Sequence, residues 1–84
     1  MTGIGGKKMF IFVKKVEGRW KIAVATIEEI ENHQVDWSSD EFSRTTFWTK
    51  NAGEAFIVAA RMYHSLKEDG VIGIIPLEGV ESDV

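Results

Sequence analysis

The sequence predicts a small α+β domain: a mostly antiparallel four-stranded sheet in the order β-β-β-α-β, with one helix packed on one face. Three observations carry that expectation. Two runs rich in β-branched and aromatic residues, Met9 to Val16 and Trp20 to Ile27, are joined by Glu17-Gly18, a pair suited to a hairpin turn. A capped amphipathic stretch lies between Asn51 and Gly70. A nearly all-apolar run, Val71 to Ile75, follows it at once.

In the second run Trp20, Ile22 and Val24 alternate with Lys21, Ala23 and Ala25, as the period of two along a strand requires. Trp20 is expected to cover the core near the turn. Thr26 to Asn32 reads two ways. Thr26 with Glu29 has the spacing of a capping box, while Ile27 and Ile30 suit a continuing strand, which is the expectation taken here. His33 to Ser43 is polar and acidic around Trp37 and Phe42, the signature of a long loop, with Ser38 and Glu41 spaced to cap at most one helical turn.

Arg44 to Trp48 predicts a third strand, with Thr45 and Phe47 on one face and Thr46 and Trp48 on the other. Asn51, with Glu54 three residues on, caps the helix, and Gly70 ends it. Helical spacing sets Ala52, Ala55, Phe56, Ala59, Met62, Tyr63 and Leu66 on one buried stripe and leaves Ile57 and Val58 off it. Val71 to Ile75 fits a strand buried on both faces, ended by Pro76. These boundaries make residues 9–77 one domain, with 1–8 a flexible leader and 78–84 a polar tail.

With 84 residues there is room for a single core, and the 44% apolar share is enough to fill it. The chain has no cysteine, so disulfides and thiolate metal sites are excluded. No apolar run approaches the roughly 20 residues of a membrane-spanning helix, and a cytoplasmic location is expected. The net charge of −3 is unevenly spread: Lys7 to Lys21 holds six basic residues and one acidic, Glu28 to Glu41 six acidic and no lysine or arginine. Such asymmetry can orient a molecule toward a partner.

Catalysis finds little support. His33 and His64 are the only imidazoles, and no serine lies in a nucleophile-elbow pattern. His33, Asp36, Asp40 and Glu41, with His64 as a further candidate ligand, match neither zinc spacing nor a calcium loop, so neither metal nor cofactor is expected. The glycines and lysines between Gly3 and Lys8 lack the strand that would make them a phosphate loop.

The expected function is therefore a non-enzymatic protein-interaction module, a regulator or inhibitor that masks a surface of a larger protein. Its size and element order resemble those of small phage-encoded regulators. The candidate contact residues are Trp37, Asp40 and Glu41 in the acidic loop and Ile57, Val58, Arg61 and His64 on the helix. The alternative is single-stranded nucleic-acid binding by Lys14, Lys15, Arg19 and Lys21, with Phe10, Phe12 and Trp20 nearby to stack on bases. A homodimer formed through an edge strand or the helix is compatible with either. Two short patterns also stand out: Glu81 to Val84 has the form of a PDZ-type carboxyl-terminal ligand, and Ser38 to Glu41 that of an acidic phosphorylation site.

Overall fold

A computed structural model of the chain describes residues 8–39 and 46–77. The expected leader up to residue 7, the tail from 78, and Asp40 to Thr45 lie outside the described residues. Strand β1 (Met9–Val16) and strand β2 (Arg19–Thr26) form an antiparallel hairpin, closed by Val16 opposite Arg19. The turn works because Glu17 and Gly18 both take positive φ, 53° and 83°, the sense of twist that a two-residue hairpin needs.

Helix α1 (Ile27–Glu31) follows without a break, where the sequence favoured more strand. The capping box decides the matter. The Thr26 hydroxyl accepts from the Glu29 N–H at 3.1 Å, and the Glu29 carboxylate accepts from the Thr26 N–H at 2.9 Å, so two orphan donors are satisfied at once. Ile27 is left exposed at the start of this turn.

Strand β3 (Thr46–Thr49) pairs antiparallel with β2, Phe47 lying opposite Ile22. Helix α2 (Ala52–Leu66) begins at Asn51, whose side chain accepts from the Glu54 N–H at 2.8 Å. A short 3-10 turn, Lys67–Asp69, prolongs it to Gly70, which turns the chain at φ 106°. Strand β4 (Val71–Pro76) then lies beside β1 and parallel to it.

The sheet order is β3-β2-β1-β4, mixed rather than wholly antiparallel. Since β3 opposes β2, β2 opposes β1 and β1 runs with β4, the two outer strands are parallel. Helix α2 carries the chain between them across one face, as a parallel connection requires. That face holds the main core: Ile11, Val13, Ile22 and Val71 from the sheet against Ala55, Ala59 and Met62 from the helix. The alanines let the helix axis sit close to the strands.

Two burial expectations change. Strand β4 is not covered on both faces: it forms a sheet edge, with Ile72 47% exposed and Gly73 to Ile75 half-buried. Phe56, expected on the buried stripe, lies at its margin and is exposed, because the sheet contacts are filled by Ala55 and Ala59.

Candidate functional site

Strand alternation divides the candidate residues between two surfaces. Ile11, Val13, Ile22 and Val24 face α2, so Phe10, Phe12, Lys14, Lys21, Ala23 and Ala25 face the opposite side. Phe12, Ala23 and Ala25 are nonetheless buried, Phe12 to 1% exposure. The segment after α1 supplies the cover: Val35 and Trp37 line a cleft of about 340 Å³ with Lys21, Ala23 and Ala25. Trp37 is half-buried there, as a lid over the far side of the sheet.

Three local devices hold this lid. Asp36 accepts from both the Ser38 hydroxyl, at 2.6 Å, and the Ser38 N–H, at 3.0 Å. Asp36 thus caps this turn, while the cap expected from Ser38 and Glu41 lies outside the described residues. Those hydrogen bonds, the hydroxyl's foremost, hold the Asp36 carboxyl below the usual carboxylate range. The Lys14 ammonium lies 5.4 Å from the centre of the Trp37 ring, and the Lys21 ammonium donates to the Ser39 carbonyl at 2.8 Å.

The hairpin cations all engage neighbours. Lys15 lies over Trp20 at 5.9 Å and Arg19 over Trp48 at 4.7 Å, while Lys21 is only 2% exposed. Aromatic stacking leaves the charges of Lys14, Lys15 and Arg19 at the surface, but Phe12 and Trp20 are packed inward. Phe10, the third ring, is half-buried 6.1 Å from Phe12, toward the end of β1 remote from the hairpin turn.

On α2 the arrangement is simpler. Ile57, Arg61 and His64 share the side of the helix turned away from the sheet, one and two turns apart. Ile57 is 58% exposed, and the exposed Phe56 adjoins it. The His64 ring meets Tyr63 edge-on at 5.7 Å. Val58 leans inward and packs against the core. The structure therefore separates Trp37 from the α2 residues by the thickness of the sheet; Asp40 and Glu41 lie outside the described residues.

Phe56, Ile27 and Ile72 are exposed apolar residues that sequence reasoning did not select. Only Phe56 gave a signal, as a bulky residue beside Ile57 at the margin of a stripe already rich in alanine. No group of three acidic or histidine side chains that could hold a metal occurs among the described residues. None of their helices is long and apolar enough to cross a membrane. Comparison with family models, curated proteins and solved structures returned no match, so function must be argued from these residues alone. What they define is a small α+β domain with a mixed four-stranded sheet, one main helix and an exposed apolar site on that helix.

Proposed function

We propose that the protein is a non-enzymatic interaction module that docks a larger protein against the outward side of α2. The observation that carries this reading is the pair Phe56 and Ile57, two large apolar side chains exposed together in the middle of a capped helix. Exposed apolar residues rimmed by polar ones favour protein contact, and here Glu54, Arg61 and His64 supply the rim. Ala60, exposed between them, leaves room for a partner side chain. Trp37 serves the fold as a lid, so the binding surface centres on Ile57 and Arg61 rather than on the acidic loop.

The test is capture of partners by the immobilised protein with nuclease present, comparing the native sequence with Ile57→Asp. A protein retained by the native chain and lost from the variant, with an unchanged circular dichroism spectrum, supports the reading. Identical captures from both would remove α2 as the surface. Recovery that depends on nucleic acid would favour the Lys14, Lys15 and Arg19 hairpin instead.

A further inference from the structure

Strand β4 ends beside the lid. The Leu77 N–H donates to the Val13 carbonyl at 2.9 Å, which holds the last described residue against β1 just before Lys14. The chain therefore leaves the sheet next to two cations, the half-buried Lys14 and the exposed Lys15, which point to opposite faces of β1. Arg19 belongs to the other edge, where it lies over Trp48 of β3.

A second cleft opens at this point. Ile30, Val35, Trp37 and Leu77, all half-buried, line a space of about 260 Å³, and Lys14 and His33 complete the lining. His33 takes φ 56°, a left-handed turn between α1 and the lid. Two nearby acids are engaged within their own turns, Glu29 by the Thr26 N–H and Asp36 by Ser38. The Lys14 charge thus stands beside an apolar surface that is only partly covered.

Residues 78–84 lie outside the described residues, and their sequence complements this cleft. They read Glu-Gly-Val-Glu-Ser-Asp-Val, with three carboxylates, no basic residue, and an apolar Val80 set between Glu78 and Glu81. Val80 follows Leu77 by three residues, about 11 Å of extended chain, so it cannot travel far from the cleft that Leu77 lines. Gly79 removes the side-chain obstacle to a sharp reversal between them. A tether this short gives the segment an effective concentration on the order of millimolar, so a contact too weak to hold separate molecules is populated within one.

We propose that residues 78–84 fold back as a strap over this cleft, with Val80 seated against Ile30, Val35 and Trp37, Glu81 beside Lys14, and Glu78 beside Lys15. Strand alternation favours that division: Leu77 shares the cleft with Lys14, so the next residue turns to the opposite face, which is that of Lys15. The apolar contact supplies the anchor, and the opposite charges set the direction of the strap. It completes the cover that the lid begins, and it occupies Lys14 and Lys15, two of the cations that a nucleic acid would otherwise meet. This contact is independent of the α2 surface.

Nuclear magnetic resonance of the full chain tests it. The sequence has no cysteine, so Val84→Cys carries a nitroxide label at one place only. Paramagnetic broadening is expected at the Trp37 indole and at the His33 and Val35 amides. Adding Val80→Asp should reduce it several-fold, and so should adding Glu78→Gln with Glu81→Gln, since one removes the anchor and the other the charges. Broadening that is absent from these groups, or left unchanged by either set of substitutions, overturns the proposal. Equal broadening in a mixture of labelled chains with separate, isotope-enriched ones would come from a neighbouring copy, and overturns it as well.

Discussion

The Lys21 ammonium reaches across the far side of the sheet to the Ser39 carbonyl, at 2.8 Å, from a position almost closed to solvent. A charge held this way is stable only while its hydrogen bonds persist, since an unmet buried cation is costly. Lys21→Met keeps much of the volume but leaves the carbonyl without this donor. It should lower stability by about 1 to 3 kcal/mol, measured by urea unfolding. An unchanged midpoint would mean that the lysine contributes no net stability in place.

Asn51 closes the first turn of α2 through its side-chain oxygen. Asn51→Ala should cost about 1 kcal/mol in the same assay. Asn51→Asp should retain the cap and much of that stability. Equal losses in both variants would show that the oxygen acceptor is not what matters.

The depressed pKa of Asp36 sets a pH window. Its folded-state value lies below the unfolded 3.8, so its contribution is present above about that pH and disappears as the pH falls through the lower folded value. The Ser38 amide resonance should therefore hold steady through the ordinary carboxylate range and move only below it. Ser38→Ala removes the foremost cause, and should bring the Asp36 titration back up toward 3.8. A titration unmoved by that substitution would contradict the assignment.

Lys14 and Trp37 join β1 to the lid by a cation over a ring. A double-mutant cycle with Lys14→Ala and Trp37→Ala should give a coupling of about 0.5 to 1 kcal/mol, weakened by salt. Strict additivity of the two substitutions would remove the contact from the account.

The hairpin and α2 were legible because their determinants are local. Glu17-Gly18 must turn within two residues, and Asn51 with Glu54 meets its own backbone. At Thr26 local evidence pointed two ways, and the paired hydrogen bonds of the capping box outweighed the strand preference of Ile27. Strand β4 misled for a different reason. An all-apolar run looks alike at the centre of a sheet or at an edge, and only the pairing with β1 places it at the edge. The cover that Trp37 provides depends on a contact with Lys14 more than 20 residues away, which no periodicity records. Of the candidate surface, Ile57, Arg61 and His64 were readable from helical spacing; the division of Trp37 from them required the fold.

The parallel pairing of β1 with β4 joins nearly the first described strand to the last. During synthesis the hairpin can form early, yet β1 gains its second neighbour only after some 60 further residues have followed it from the ribosome, an ordering of loop closure that slows folding. Until then the apolar side of β1 and β2 waits for α2 as well. The nascent chain therefore spends much of its emergence with an open sheet, the interval in which a chaperone or a second nascent copy would meet it.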